Sequence, residues 1–330
     1  MQILPGIHHL HVPIPESSLG YLNAYLVKAD DGNLLIDTGW NTDEAFGALV
    51  RQLGDAGVSL CDLRYIAITH VHPDHYGLAG RLLQHCDAKL VMHEIERPFL
   101  RSRYLEYANL LAEVDQWLRI NGVPDEDWRD LGYASMPVLE LVQVAMPHIT
   151  VRGGEHLMVG DFDWEVVWTP GHSPGHVCFY ESSRRVLVSG DHVLPAITPN
   201  ISMHTQSMGN PLGDYLVSLQ TVAALPVEIV LPSHGEPFRD LHKRVSELRD
   251  QIERRRQHVV AAAGEAKTAY QIAAEIPWNT KGVPWLDLPP LHKRAAVFET
   301  IAHIERLCAE GVLCKTIKGG TFWYAGKRSV

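Results

Sequence analysis

An α/β architecture follows from three patterns in these 330 residues. Short apolar runs of strand length recur, and several end in a small-residue turn that carries a histidine or an aspartate. Segments with helical spacing alternate with them. Composition is that of an ordinary globular chain, 46% hydrophobic and 21% charged, and the length is ample for a sizeable core.

His8, His9 and His11 crowd an N-terminal strand, where they are read as structural. Residues 21–27 and 34–36 form a hairpin across Asp30-Asp31-Gly32. Residues 43–54 are helical, opened by Thr42 or Asp43 as cap. The run Arg64-Tyr-Ile-Ala-Ile-Thr69 has the character of a buried strand, and residues 77–86 read as a helix after it. Residues 88–92 make a further strand. From 100 to 118, apolar residues at 100, 104, 107, 111, 114 and 118 mark one helical face. This aromatic-bearing insertion, about 97–135, is either a lid over an apolar pocket or a helical hairpin packed on the body or on a second subunit.

Short strands with turns at Gly153-Gly154, Gly160-Asp161 and Ser182-Ser183 fill 140–236, with a helix near 213–224. The uncharged loop 193–213, which holds His204, starts beside Asp191 and is expected to wall a pocket. Residues 241–263 form a long helix whose Arg254-Arg255-Arg256 patch reads as a solvated face. Helices at 269–276 and 295–310 precede two strands across Gly319-Gly320.

Charge and targeting signals narrow the partners. A net charge of −10 disfavours non-specific contact with nucleic acid. No run of about eighteen apolar residues is present to cross a membrane. The N-terminus lacks the charged and apolar regions of a signal peptide. The five cysteines show no paired framework, suit a reducing cytoplasm, and are read mostly as small core residues. A small-molecule substrate, a cytoplasmic location and a possible homodimer are the expectations.

The heptapeptide Thr69-His-Val-His-Pro-Asp-His75 dominates the chemistry. It places His70, His72, Asp74 and His75 on a strand-to-helix turn, where side chains can converge. Imidazoles and a carboxylate suit a borderline divalent metal, zinc first, with iron and manganese open. The same strand-then-turn grammar puts His172 (Thr-Pro-Gly-His), Asp191 (Ser-Gly-Asp), His234 (Pro-Ser-His-Gly) and Asp37 (Asp-Thr-Gly) at other strand ends. Open α/β sheets bind ligands at such ends. Two metals need terminal ligands and a bridge. His70, His72 and His172 would serve one ion; Asp74, His75 and His234 the other; Asp191, with two oxygens, would bridge.

Asp37 is expected to orient a ligand histidine, or to serve its turn. His176 and His192 are read as supporting or structural rather than ligating. Tyr76 is open between substrate contact and core cap. Tyr104, Tyr107 and His204 are the other substrate-contact candidates.

The set His70-x-His72-x-Asp74-His75, His172, Asp191 and His234 resembles the metallo-β-lactamase-fold hydrolase superfamily over roughly residues 5–240. It is similar to the glyoxalase-type, lactonase and ribonuclease branches, which keep the second His of the Asp-His pair. It departs from the true metallo-β-lactamases, several of which use Cys where Asp191 stands, and from the flavo-diiron branch, which carries Glu where His72 stands. The resemblance implies a four-layer αββα sandwich as the catalytic domain, residues 1–240. A connecting helix, 241–264, would lead to a domain over 265–330 that resembles a small winged-helix module. The helix from Ala295 offers few cations, so packing or dimerisation fits it better than DNA. This ending differs from glyoxalase-type hydrolases, whose C-terminal helices hold the thiol cofactor, and counts against a glutathione thioester.

The expected activity is hydrolysis of a thioester, ester or lactone by a metal-bridging hydroxide, with Asp74 relaying the proton to the leaving group. A single-strand ribonuclease on the same site and a metal-bearing ligand sensor without catalysis are the alternatives.

Overall fold

The computed structural model describes residues 1–15, 19–134, 141–280 and 282–327; the last residue of the predicted insertion, 135, and residues 328–330 lie outside them. Two β-sheets face each other. The first holds seven strands in sequence order: β1 (Gln2–Leu4), β2 (Ile7–Pro13), β3 (Tyr21–Val27), β4 (Asn33–Ile36), β5 (Leu63–Ala67), β6 (Lys89–His93) and β7 (Ile149–Val151). Pairing is antiparallel up to β4 and parallel from β4 to β7. The second runs β12-β11-β10-β9-β8, from β8 (His156–Val159), β9 (Phe162–Trp168), β10 (Val177–Glu181), β11 (Val186–Gly190) and β12 (Ile229–Pro232). Only β11 and β12 pair in parallel there.

Strand alternation builds the layers, because successive side chains leave opposite faces. In β3, Tyr25 and Val27 point into the core between the sheets, while Leu22, Ala24 and Leu26 point to the outer helices. In β10, Val177 and Phe179 point inward and Cys178 and Tyr180 outward. Trp164 is fully buried in the inner core. Helix α1 (Asp43–Asp55), capped by the Thr42 side chain, covers the first sheet. Helices α7 (Pro211–Ala223) and α8 (Leu241–Ala262) cover the second. The result is the αββα sandwich.

The segment after the His cluster is not one helix. Two single turns, α2 (Pro73–Tyr76) and α3 (Ala79–Leu82), replace it. Its backbone bonds instead to passing chain: Leu78 N donates to Gly39 O, Gln143 N to Gly77 O, and Gly80 N to Gln143 O. The insertion is also divided, into α4 (Arg97–Tyr104), α5 (Tyr107–Ile120) and α6 (Asp125–Tyr133). Its apolar stripe serves two cores, because the chain turns at Leu105-Glu106. Leu100 and Tyr104 pack on the sandwich, while Val114 and Leu118 pack elsewhere.

That other core belongs to the C-terminal part: α9 (Ala269–Glu275), α10 (Pro290–Ala309), β13 (Leu313–Lys318) and β14 (Thr321–Gly326). Val114, Leu118 and Leu131 of the insertion join Ile272, Val297, Ile301 and Leu313 in one cluster. A small C-terminal domain with helices and a two-stranded sheet is therefore welded to the insertion. Helix α10 starts earlier than its apolar pattern, with Pro290 in its first turn. It buries Ala296, Val297, Phe298, Ile301 and Ile304, so little of it is left to enter a groove. Of the cysteines, Cys178 is buried and Cys86 and Cys308 pack against core clusters, while Cys61 and Cys314 are exposed. No described helix is long and apolar enough to cross a membrane.

Candidate metal centre

Five strand ends meet at one edge of the sandwich. Asp37 follows β4, the 70–75 cluster follows β5, His172 follows β9, Asp191 follows β11 and His234 follows β12. Parallel pairing of β4 with β5 and of β11 with β12 puts consecutive ligand loops side by side.

The seven side chains fall into two groups that touch. His70 Nε2 lies 2.8 Å from His72 Nδ1, and His172 Nε2 lies 3.0 Å from the same atom. His172 Nδ1 sits 2.9 Å from the Asn200 carbonyl. A carbonyl only accepts, so Nδ1 carries the proton and Nε2 presents its lone pair inward. In the second group His234 Nε2 is 3.2 Å and His75 Nε2 3.5 Å from Asp74 Oδ2. Asp191 stands between the groups. Its Oδ1 is 3.5 Å from His234 Nε2, and its Oδ2 is 3.6 Å from both His75 and His172 Nε2. Three triads, His70/His72/His172, His70/His75/Asp191 and Asp74/His75/His234, each bring their donor atoms within 4.8 Å of one another.

Behind these groups lies a layer that fixes them. Asp37 is buried at φ 58°, a left-handed conformation that aspartate tolerates better than most residues. From there it accepts from Thr69 N at 2.8 Å, from the Thr69 hydroxyl, from His75 Nδ1 at 2.7 Å and from Ser233 Oγ at 3.2 Å. One carboxylate thus ties two loops of candidate ligands to the end of β4 and sets the His75 tautomer. His176 joins none of the three triads. Its Nε2 accepts from Asp191 N at 3.1 Å, while Nδ1 faces the Thr169 hydroxyl at 2.8 Å. It holds the carboxylate's backbone. Gly190 makes room for that ring: a Cβ there would lie 2.6 Å from His176 Nε2, and φ is +53°. His192 is buried against His176 and Tyr215, away from the triads.

Two members of this layer escaped sequence reasoning. Glu96, fully buried, accepts from Val71 N at 3.0 Å, Ser173 Oγ at 2.8 Å and Gly175 N at 2.6 Å, joining the two loops that carry His72 and His172. Asn200 acts through its backbone, which no sequence pattern marks. Glu96 reads in sequence as an ordinary acid at a helix start.

The charges are arranged for cations. Burial, then the neighbouring imidazoles, hold His70 and His72 well below the ordinary histidine value. Burial opposes a proton on His75 too, but Asp74, Asp37 and Asp191 outweigh it and push His75 well up. His234 is raised the same way by Asp191 and Asp74. Burial alone would raise Asp74 and Asp191, yet His75 and His234 hold both below the usual carboxylate range. His75 Nε2 and Asp191 Oδ1 are buried with no hydrogen-bond partner. Orphaned donor atoms of this type, beside bare imidazole nitrogens, fit divalent cations, which would displace the protons.

The substrate-contact candidates divide. Tyr76 does not face the site: its ring is buried and its hydroxyl donates to the Ala145 carbonyl at 2.5 Å, because α2 turns it into the core. Tyr104 packs beside it and donates to the Val71 carbonyl at 2.6 Å, so it supports the cluster from behind. Tyr107 opens α5 on the surface and does not line the cavity beside His172. His204 is placed with His172 on the wall of a cavity of about 580 Å³. Its pKa is pushed down to about 3 by burial and the charges of Arg103 and Arg294, so the ring is neutral.

A sandwich whose strand ends gather imidazoles and carboxylates in this way defines a metal-dependent hydrolase. The profile of the Metallo-beta-lactamase superfamily matches residues 18–234, and the chain belongs to that superfamily. The Bacillus subtilis (strain 168) protein called probable metallo-hydrolase YqjP is 27% identical over 336 residues, 96% of each chain. The acyl-coenzyme A thioesterase MBLAC2 of Bos taurus is 25% identical over 225 residues, 66% of this chain and 74% of that one. A metallo-beta-lactamase family protein from Thermus thermophilus, known as a crystal structure, superposes with TM-score 0.84 at 31% identity, covering 99% of this chain and all of its own. Divalent metal ions go with this fold, and the His/Asp groups above are the candidates to hold them.

Proposed function

We propose that the chain is a two-metal hydrolase that cleaves an ester-like bond (thioester, ester or lactone) in a small, partly apolar substrate. The position of Asp191, whose Oδ2 lies 3.6 Å from a nitrogen of each group and whose Oδ1 faces His234, carries this reading. His70, His72 and His172 would hold one ion, Asp74, His75 and His234 the other, and Asp191 both; zinc suits the imidazole-rich set. Two such cations supply an acidified water as nucleophile and a Lewis acid for the carbonyl oxygen.

The chain's own groups do the rest. Asp37 and the Asn200 carbonyl lock the His75 and His172 tautomers so that lone pairs face inward. Asp74 is the carboxylate placed to carry a proton to the leaving group. The cavity beside His172 receives the apolar part. Trp168, Pro170, Pro174, Met208 and Val217 form much of its wall. Its hydroxyls are committed within the protein: Ser218 to Pro170 O at 2.9 Å, Thr221 to Val217 O at 3.2 Å, Ser207 to Ser202 O at 3.2 Å and Ser202 to the Asn200 side-chain oxygen. Among the described residues Asp214 is its one ionisable carboxylate, and no Lys or Arg lines it, which disfavours a phosphodiester. The activity in the name of MBLAC2 supports the thioester class.

Elemental analysis paired with a screen of aryl thioesters, lactones and phosphodiesters is the test. Ester-type turnover that stops on chelation and returns with zinc is the expected result. RNA cleavage without esterase activity, or a protein that takes up no metal, overturns the reading.

A further inference from the structure

Residues 200–208 contain no helix or strand, so contacts from outside decide their position. Those contacts come from three directions. The inner end holds the metal site, since the Asn200 carbonyl accepts from His172 Nδ1 at 2.9 Å. The same residue reaches the C-terminal domain: Asn200 Nδ2 donates to Glu299 Oε2 at 3.4 Å, and Met203 N donates to the Phe298 carbonyl at 3.0 Å. Glu299 is itself fixed, because its Oε1 accepts from Arg255 Nε at 3.2 Å. Arg255 is braced by the Pro277 carbonyl at 2.5 Å and by the Trp278 ring at 3.8 Å. The third direction is the insertion. Trp117 Nε1 donates to the Met203 carbonyl at 3.3 Å, Arg103 Nε to Gln206 Oε1 at 2.7 Å, and Gln206 Nε2 to Ser102 Oγ at 2.8 Å. Between these anchors Ser202, His204, Ser207 and Met208 face the substrate cavity.

We propose that residues 200–208 are a positioning strap, through which Glu299 of the C-terminal domain orients His172 and Arg103 of the insertion sets the wall of the substrate cavity. The chain of contacts runs from Arg255 to Glu299, to the Asn200 amide, to the Asn200 carbonyl, to the His172 ring. A bond of 3.4 Å is weak alone, but the Met203–Phe298 backbone bond fixes the strap three residues further on. Glu299 and Gln206 are positioning residues: neither touches the reacting atoms. The assignment gives the C-terminal domain and the insertion a shared task, and it rests on reading His172 as a ligand.

Zinc affinity of the full chain, measured by competition with a chromogenic chelator, tests it without any substrate. His172→Ala should weaken binding most. Glu299→Ala should weaken it by about tenfold, the lower end for partners behind a ligand. Glu299→Gln keeps the volume but has one accepting oxygen for the two donors Arg255 Nε and Asn200 Nδ2, so it should bind zinc more weakly than the wild type does. On an ester substrate, Gln206→Ala should raise KM more than it lowers kcat. If Glu299→Ala binds zinc like the wild type while His172→Ala does not, the strap is overturned and the ligand set stands. Wild-type binding by Glu299→Gln beside a loss in Glu299→Ala also overturns it, since packing alone would then be at work. If His172→Ala binds like the wild type, the ligand reading fails and the strap with it.

Discussion

At the scale of single residues, the site depends on which atom of each ring carries a proton. Asp37 makes that choice for His75 at 2.7 Å. Asp37→Asn replaces an obligate acceptor with a group that can donate, so the imidazole can turn its protonated edge inward. Metal affinity should fall about ten- to a hundredfold, read by chelator competition. Asp191→Ala goes further: it removes the oxygens facing both groups and should lower bound metal and abolish turnover. A purified Asp191→Ala protein with a full metal complement on elemental analysis would refute the bridge. Protons give a third prediction. His75 and His234 are raised above the ordinary 6.5 by their carboxylates. Their stabilisation of the metal-free fold is complete below that value and is lost as pH rises through the raised ones. Asp74 and Asp191 are lowered, so theirs is present above the usual carboxylate range and is lost only as pH falls through the lowered values. Metal-free protein should therefore melt at lower temperature as pH climbs above the ordinary 6.5 and through the raised values. Metal affinity should run the other way, rising with pH, because cations compete with those protons.

At the scale of elements, strand ends and caps were legible while supporting contacts were not. The turns after β4, β5, β9, β11 and β12 announce themselves through small residues beside His or Asp. The Thr42 cap and the Gly319-Gly320 hairpin are equally local signals. The insertion misled, because an apolar stripe with one period does not show that the chain turns midway and serves two cores. Tyr76 misled for a similar reason: sequence adjacency to His75 says nothing about which way a short turn aims it. Glu96 is invisible because its three partners come from distant segments. Gly190 illustrates how tightly the elements fit at the site. Gly190→Ala would force a left-handed alanine and place its Cβ 2.6 Å from His176 Nε2 and 3.0 Å from Thr69 Cβ. A loss of about 1–3 kcal/mol in stability is expected, with Asp191 released from His176, measured as a lower urea midpoint and weaker zinc binding.

For the molecule as a whole, the question is whether the insertion behaves as a detachable lid. Its buried residues argue that it does not. Leu118 is fully buried in the same cluster as Ile272, Val297 and Ile301 of the C-terminal domain. Gly122, between α5 and α6, lies so close to Thr268 that a Cβ would come within 2.3 Å of the Thr268 Cβ. Tyr270 N donates to the Asn121 carbonyl, and the Tyr270 hydroxyl bonds to Asp127 across the same seam. The two regions are far apart in sequence but melt together if they share one core. Leu118→Ala and Ile301→Ala should each cost about 2–5 kcal/mol, the range for truncating a buried aliphatic side chain. Because they line one cluster, the double variant should depart from the sum of the singles, whereas Leu118→Ala combined with a change in the inner core, such as Val166→Ala, should be additive. Urea denaturation of the metal-loaded protein, followed by tryptophan fluorescence, reads both. Trp117, Trp128, Trp278 and Trp285 pack around the shared cluster and Trp164 lies in the sandwich, so the signal covers the two cores. Additivity of Leu118→Ala with Ile301→Ala, or an early transition in which the insertion alone comes loose, would show a lid hinged on the body rather than a brace that the C-terminal domain completes.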